Sequence, residues 1–249
     1  MTGMARKIGI VGGVGWRATL DYYAAIHELV EERAAVSGSW GRPPLEVAVE
    51  SLDLGIALAL YADGLDNGRW DGFDEYHRAA LNRLERSDVE VAVIASNTPH
   101  DRLPQIAGNM RLKVIDLFEA VCVEARRQEA RRLLVLGTST TMGSDRLSGM
   151  LASHGIKAVV PTGEVAMQLE QLIADLQRGC MDNARERLLE IVRSCAVPSS
   201  DPWLAGLNCT ELPLALAGSR RRSIASDDGI GFLNASMVHV EAALRAVGF

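Results

Sequence analysis

The chain has 249 residues, of which 48% are hydrophobic and 23% charged, as expected for a globular protein of one large or two small domains. A net charge of −6 argues against nonspecific nucleic-acid binding through a basic surface, and no apolar run approaches the roughly 18 residues of a membrane span. Residues 1–7 lead straight into a predicted strand without the apolar core of a signal peptide, so we expect a cytoplasmic protein with neither nucleic-acid nor membrane partners.

Apolar and amphipathic segments alternate from end to end of the chain. Short apolar runs predict strands at 7–11, 45–52, 89–95, 112–115, 133–136, 156–160, 203–207 and 223–225. Helical spacing of apolar residues predicts helices at 17–33, 71–86, 117–129, 145–153, 164–178, 182–196, 211–217 and 231–247. Glycine and proline predict a loop at 37–44, and three glycines within 54–70 predict a short helix and a loop. Repeated strand–helix units with apolar strands indicate an α/β fold with mainly parallel sheets flanked by helices.

The two halves of the chain share a layout. Residues 10–13 and 135–138 each run from an apolar strand into a glycine and a small loop, and residues 93–98 resemble 204–210 in the same way. We therefore predict two pseudo-symmetric lobes with the active site in the cleft between them, because domain interfaces favour small-molecule sites.

The predicted lobe boundary lies near residue 117. The first lobe is expected to comprise residues 1–117 plus 226–249, and the second lobe residues 118–225. Asp227-Asp228-Gly229 is interpreted as the crossover that returns the last helix to the first lobe.

Cys209 follows the predicted strand 203–207 and precedes a predicted helix. A thiol at a helix N-terminus lies in a positive field, so we expect a lowered pKa and a larger thiolate fraction. The alternative is a small, inert core residue. The other cysteines, at 122, 180 and 195, lie in or next to predicted helices, and the chain has no Cys-x-x-Cys pair or close histidine motif. No metal site is therefore expected.

Three further strand ends carry candidate binding groups. Gly13 to Ala18 fits G-x-G-x-x-A, but the acidic partner of a dinucleotide site is missing about 20 residues on, so no cofactor is expected. Val14 and Gly15 then form either a plain turn or a loop that accepts a carboxylate. Ser96-Asn97-Thr98 and Thr138 to Thr141 offer hydroxyl, amide and N–H groups, with a turn or a helix N-cap as the structural alternative. Together these loops indicate a small acidic ligand.

Four motifs, taken together, resemble the aspartate/glutamate racemase superfamily, and in particular its aspartate racemase branch. They are Ile8-Gly-Ile-Val-Gly-Gly-Val-Gly-Trp16 followed by Thr19 and Tyr22-Tyr23, Ser96-Asn-Thr-Pro-His100, Gly137-Thr138 with Thr141-Met142, and Asn208-Cys-Thr-Glu-Leu-Pro213. The resemblance implies two α/β lobes, no cofactor, a small carboxylate substrate and commonly a homodimer. It also implies one cysteine per lobe, with one thiolate removing the α-proton and the other thiol delivering a proton to the opposite face.

This chain departs from the family pattern in the first lobe. Where the family usually has Cys-x-Asn-Thr, the chain has Ala95-Ser96-Asn97-Thr98, so the resemblance marks Ala95 as a vacated second-base position. Val14-Gly15 also replaces the more usual Met-Ser, and Asn234 stands where the branch often has histidine. Cys209 remains as the acid/base thiol.

Several functions remain open for a protein with a single catalytic thiol, because inversion through a carbanion needs proton transfer on both faces of the α-carbon. Cys209 can protonate one face, as in arylmalonate decarboxylase, or add to an unsaturated diacid, as in maleate isomerase. Ala95 can be a natural residue or an introduced replacement of an active cysteine. Ser96 or a water can serve the empty face, or the protein can be an inactive paralogue that binds a carboxylate.

The leading hypothesis is a racemase-family isomerase acting on a small amino acid or dicarboxylate. Its expected binding groups come from the loops described above: Val14, Gly15, Ser96, Asn97, Thr98, Thr138, Thr141 and Thr210. Arg17 and Arg178 are candidates for a second substrate carboxylate. His100 is expected either to support the site or to lie on the surface.

Overall fold

A computed structural model describes residues 6–36, 45–195, 201–216, 218 and 220–249. The chain divides into two compact units, a first unit of Met1–Asp116 with His239–Phe249 and a second unit of Leu117–Val238. The predicted loop at 37–44 lies outside the described residues. Within the described part of the chain, no helix has both the length and the apolar character needed to cross a membrane.

The first unit is built on a four-stranded parallel sheet of order β2-β1-β3-β4. Its strands are β1 (Arg6–Gly12), β2 (Leu45–Ser51), β3 (Val91–Ile94) and β4 (Lys113–Val114). Its helices are α1 (Trp16–Val36), α2 (Leu54–Asn67), α3 (Asp71–Glu85), α4 (Thr98–Asp101) and α5 (Leu103–Ala107). Every residue of β3 is buried, as in a strand that carries helices on both faces.

The second unit is built on a five-stranded sheet of order β6-β5-β7-β9-β8, in which β8 alone of the described strands runs antiparallel to its neighbour. Its strands are β5 (Arg132–Leu136), β6 (Lys157–Val159), β7 (Trp203–Leu207), β8 (Ile224–Asp227) and β9 (Ile230–Asn234). Its helices are α6 (Leu117–Arg127), α7 (Ser139–Met142), α8 (Asp145–Ser153), α9 (Gly163–Arg178) and α10 (Ala184–Cys195), with a 3-10 helix at Leu212–Ala215. The last helix, α11 (Ala235–Ala246), begins in this unit and ends in the first.

The two sheets repeat one topology, which confirms the predicted α/β fold of two similar lobes. In each, the first parallel strand lies second in the sheet, beside the third strand in sequence. The strand order therefore changes direction between β1 and β3 in the first unit and between β5 and β7 in the second. In open parallel sheets, the carboxyl ends of the strands at such a point form the crevice where ligands bind.

Residues 54–70 differ from the expected short helix and loop. The helix α2 runs unbroken from Leu54 to Asn67 and ends at Gly68, which has a left-handed φ of 68°. Gly64 is buried within this helix, and a Cβ at this position would come within 2.4 Å of the Trp70 ring. This glycine allows close packing and does not interrupt the helix.

The C-terminal segment also differs from the prediction. Residues 231–247 were expected to form one helix, but Ile230–Asn234 is a strand that pairs with β7 and β8. Asp227-Asp228-Gly229 forms the turn of this antiparallel hairpin, with φ of 51° at Asp228 and 74° at Gly229. The interpretation of these residues as a crossover is therefore wrong.

Candidate active site

The predicted site residues lie at the two points where strand order reverses. In the first unit, β1 ends at the glycine loop and its neighbour β3 ends at Ala95–Thr98. In the second unit, β5 ends at Gly137–Thr141 and its neighbour β7 ends at Asn208–Thr210. Each unit therefore brings its own pair of predicted loops together at the carboxyl edge of its sheet.

Hydrogen bonds and close backbone contacts fix the conformation of the glycine loop after β1. Gly13 N–H donates to Thr19 Oγ1 at 2.9 Å, and the Thr19 hydroxyl donates to the Gly15 carbonyl at 3.2 Å. Gly13 has a φ of 90°, and a Cβ there would lie 2.1 Å from the Leu52 carbonyl oxygen. These contacts account for the tight turn, and they leave Val14 and Gly15 partly exposed at its tip.

The loop after β3 presents polar groups ahead of α4. Ser96 and Thr98 are half-buried, whereas Asn97 is only 7% exposed. The Asn97 Oδ1 atom is buried without a hydrogen-bond partner among the described residues, and its side chain does not cap the short helix. A buried acceptor without a donor carries a free-energy cost that a bound ligand with an N–H or O–H group would remove.

The loop after β5 carries two hydroxyl groups at the sheet edge. Thr138 Oγ1 lies 3.4 Å from Thr141 Oγ1, and Thr141 is buried. The Thr138 side chain stands at the start of α7 but makes no capping hydrogen bond there. Helix capping therefore does not account for the Thr138 hydroxyl.

Cys209 lies after β7, 7% exposed, with its thiol directed at a carboxylate. Cys209 Sγ–H donates to Glu211 Oε2 at 3.1 Å, and the Thr210 hydroxyl donates to the same oxygen at 2.8 Å. Burial and the negative charge of Glu211 raise the pKa of the Cys209 thiol well above its ordinary value, although the backbone N–H groups of Glu211 and Thr210 act in the opposite direction. The thiol is therefore protonated at rest.

The expected lowering of the Cys209 pKa by a helix N-terminus is wrong. The helix that follows is a 3-10 helix of four residues, and it begins only at Leu212. So short a helix has a small dipole, and desolvation outweighs it at a fully buried sulfur.

Two polar residues beside Cys209 were not predicted as site residues. Glu211 is 8% exposed and accepts the thiol proton, although the sequence pattern assigned it only to a helix start. Asn208 is completely buried, and within the described structure neither its Oδ1 nor its Nδ2 has a hydrogen-bond partner. Both residues belong to the family motif Asn208 to Pro213, and this motif is the sequence feature that could have identified them as site residues.

His100 is a buried residue that stabilises the loop after β3, and it does not lie on the surface. It is fully buried, its Nε2 lies 3.2 Å from the Ile94 carbonyl, and its backbone N–H donates to the Asn97 carbonyl at 3.0 Å. These bonds join the two ends of the Ala95–Ser96 segment, so the histidine fixes the path of the loop.

The two candidate arginines already have contacts of their own. The Arg17 guanidinium stacks 4.4 Å from the centre of the Trp16 ring, and Arg178 pairs with Asp175 at 2.6 Å. Asp175 also pairs with Arg187 of α10, so Arg178 belongs to a contact between α9 and α10.

In the described ranges, no three metal-ligating side chains gather into a group that could hold an ion.

Comparison with known proteins agrees with the motifs. Residues 11–243 match the family model of Asp/Glu/Hydantoin racemase. An aspartate racemase homologue from Pyrococcus horikoshii OT3 is 26% identical, with a TM-score of 0.76 over 98% of this chain and 100% of that one. An Asp/Glu racemase homologue from Yersinia pestis is 22% identical (TM-score 0.78, 97% and 99% covered), and the Picrophilus torridus aspartate racemase is 15% identical (0.74, 98% and 95%). The chain belongs to the Asp/Glu/Hydantoin racemase family.

Proposed function

We propose that this protein is a cofactor-independent enzyme that acts at the α-carbon of a small amino acid or dicarboxylic acid, with Cys209 as its acid/base thiol. The observation that carries the proposal is the 3.1 Å hydrogen bond from Cys209 Sγ to Glu211 Oε2 at the carboxyl end of β7. A thiol with a proton acceptor beside it can change between thiol and thiolate during a reaction cycle.

The proposed substrate contacts come from the same strand ends. They are the side chains of Ser96, Asn97, Thr98, Thr138, Thr141 and Thr210 and the backbone of Val14 and Gly15. Hydroxyl and N–H donors there would bind the carboxylate and stabilise the enediolate charge that develops when the α-proton leaves. Asn97 Oδ1, which has no hydrogen-bond partner among the described residues, favours an amino acid, because a substrate ammonium group would supply the missing donor.

The proposed cycle uses one thiol. All four cysteines, at 122, 180, 195 and 209, belong to the second unit, so the first unit has no thiol to offer. The Cys209 proton passes to Glu211, and the thiolate removes the α-proton. The new thiol exchanges this proton with solvent through Glu211 and then returns a solvent-derived proton to the same face of the enediolate. Glu211 finally returns its proton to the Cys209 thiolate, which restores the resting state. Exchange of the α-proton with retention of configuration is the expected outcome.

Exchange in heavy water tests the proposal. Candidate amino acids and dicarboxylates are incubated with the protein in D₂O, and the α-proton signal is followed by NMR. We expect exchange in the wild-type protein and loss of at least about 100-fold in Cys209→Ser, since serine is a much weaker acid than cysteine. Undiminished exchange in Cys209→Ser would show that another group is the base.

A second candidate function is decarboxylation of a substituted malonate. The raised pKa of Cys209 favours it, because this reaction needs a protonated thiol that delivers a proton to an enediolate. Release of CO₂ from arylmalonates, with one enantiomer of the product, would establish this activity. If the protein binds a carboxylate tightly in calorimetry but neither releases CO₂ nor exchanges an α-proton, it is instead a binding protein.

A further inference from the structure

A cavity opens at the amino edge of the sheet in the second unit. It has a volume of about 680 Å³, and its wall is formed by the segments that follow α6 and α8 and by Pro202, which precedes β7. Arg131 N–H donates to the Pro202 carbonyl at 2.8 Å, so the cavity lies where β5 and β7 begin. Cys209 follows the other end of β7, so this cavity is separate from the Cys209 loop. Small-molecule sites have volumes of roughly 300–1,000 Å³, and the cavity falls within that range.

Three charged side chains in the cavity wall have no ion-pair partner within the described ranges. They are Arg126, Glu129 and Arg131, and all three are exposed. By contrast, the adjacent Arg127 pairs with Glu124, with its Nη2 2.8 Å from Oε1. Two guanidinium groups and one carboxylate can therefore contact a ligand in the cavity without first breaking an ion pair.

Glu129 has a backbone conformation that favours glycine. Its φ is 58°, and the other described non-glycine residues with a left-handed φ are Asp88, Asn183 and Asp228. Aspartate and asparagine tolerate this conformation because their short side chains bond to the nearby backbone, whereas glutamate has no such compensation. The helices α6 and α8 end in the same backbone hydrogen bonds, and the corresponding residue after α8 is Gly155, with a φ of 74°. Strain of this kind is typical of functional sites, which indicates a role for the Glu129 side chain.

We propose that this cavity binds an acidic amino acid, with its two carboxylates on Arg126 and Arg131 and its ammonium group on Glu129. Guanidinium groups bind carboxylates through paired, charge-assisted hydrogen bonds. The carboxyl-terminal ends of α6 and α8 carry partial negative charge at this edge, which also favours an ammonium group. A ligand with two negative groups and one positive group complements all three side chains, whereas a polyphosphate would place like charge beside Glu129.

Phenylglyoxal modification of arginine, followed by peptide mass spectrometry, tests the site at single residues of the full chain. At an aspartate concentration about ten times the dissociation constant, modification of Arg126 and Arg131 should slow about tenfold. Modification of Arg86, an exposed arginine of the first unit, should not change. Succinate has no ammonium group and should require a higher concentration for the same protection. No protection by aspartate, or equal protection by sulfate, would overturn the proposal.

Substitution of Glu129 tests which part of the ligand it contacts. Glu129→Gln should raise the aspartate concentration that gives half-protection at least about tenfold, because it removes a charge-assisted hydrogen bond, and should not raise that of succinate. An unchanged value for aspartate, or an equal rise for both ligands, would contradict the contact between Glu129 and the ammonium group.

Glu129→Gly separates strain from binding. It should also raise the aspartate concentration for half-protection, yet it should raise the urea midpoint of unfolding, because glycine adopts the left-handed φ without strain. Asp88→Gly is the matched control, since it changes a residue with a φ of 56° in the first unit and should leave protection unchanged. Loss of protection in Asp88→Gly, or none in Glu129→Gly, would overturn the proposal. These outcomes do not depend on α-proton exchange by Cys209.

Discussion

At the scale of single residues, burial and the charge of Glu211 together favour the protonated form of Cys209. Its carboxylate accepts the thiol proton at 3.1 Å, and its negative charge disfavours a thiolate beside it. The same carboxylate is the group that can take the proton when a thiolate is needed. In the proposed cycle, Glu211 therefore acts on the substrate only through Cys209.

Glu211→Gln separates these two effects. Removal of the charge is expected to lower the Cys209 pKa, so alkylation of Cys209 at pH 7 should become roughly tenfold faster or more. The α-proton exchange rate should fall, because glutamine cannot accept the thiol proton. Glu211→Asp is the control that keeps the charge. Unchanged alkylation and unchanged exchange in Glu211→Gln would contradict the role given to Glu211.

At the scale of elements, buried histidines tie the first unit together and make its stability depend on pH. The Tyr22 hydroxyl of α1 lies 3.0 Å from His239 Nδ1, and His239 Nε2 lies 2.8 Å from the Ile115 carbonyl. The carbonyl can only accept, so Nε2 carries the proton, and Nδ1 accepts from the Tyr22 hydroxyl. Both nitrogens of the neutral ring are thus satisfied.

Acid is expected to weaken the folded state through these histidines. Burial, with the nearby His100, lowers the pKa of His239 from 6.5 to about 3, and burial also lowers the pKa of His77. The unfolded chain therefore binds protons below pH 6.5 that the native state does not accept, so stability is full above that pH and is lost as pH falls towards 3. Each group contributes up to about 1.4 kcal/mol per pH unit.

Urea unfolding at pH 7.5 and at pH 5 measures this effect. The free energy of unfolding should be lower at pH 5, and the difference should shrink in His77→Gln, which removes one of the two groups. Equal stability at the two pH values would contradict the neutral, buried state assigned to these rings.

Helix α2 offers a packing test with a matched control. Gly64→Ala places a methyl group against the ring of Trp70. The Arg102 guanidinium stacks on this ring at 4.7 Å from its centre. We therefore expect a loss of about 1–3 kcal/mol in unfolding free energy. Gly149→Ala in α8 has open space around its Cβ and should stabilise the protein by about 0.5–1 kcal/mol. Similar effects at both positions would mean that Trp70 does not confine Gly64.

Elements with a clear local pattern were predictable, and those fixed by distant partners were not. The strand at 203–207 and the helix at 145–153 were predicted with the bounds that the structure has. The strand β9 was missed because its apolar residues continue into the spacing of α11, and only pairing with β7 and β8 separates them. Local residues likewise could not reveal that Trp70 packs against Gly64.

At the scale of the whole molecule, the two units share one strand order and have different side chains in the loops that follow corresponding strands. Sequence motifs located the four candidate loops at strand ends, because each follows an apolar strand with recognisable turn residues. They did not give the register of those loops, which required the hydrogen bonds of Ala95 and Asn208. Nor did they give the pKa of Cys209, which depends on burial by residues far away in the chain.

In the proposed function, Cys209 exchanges a proton with the α-carbon of a small carboxylate. The most direct measurement is single-turnover deuterium incorporation at that carbon in D₂O, with wild-type protein and Cys209→Ser compared at equal concentration. We expect incorporation by the wild type and its loss in the variant, with substrate binding retained in calorimetry. Incorporation at the same rate in both proteins would contradict the role proposed for Cys209.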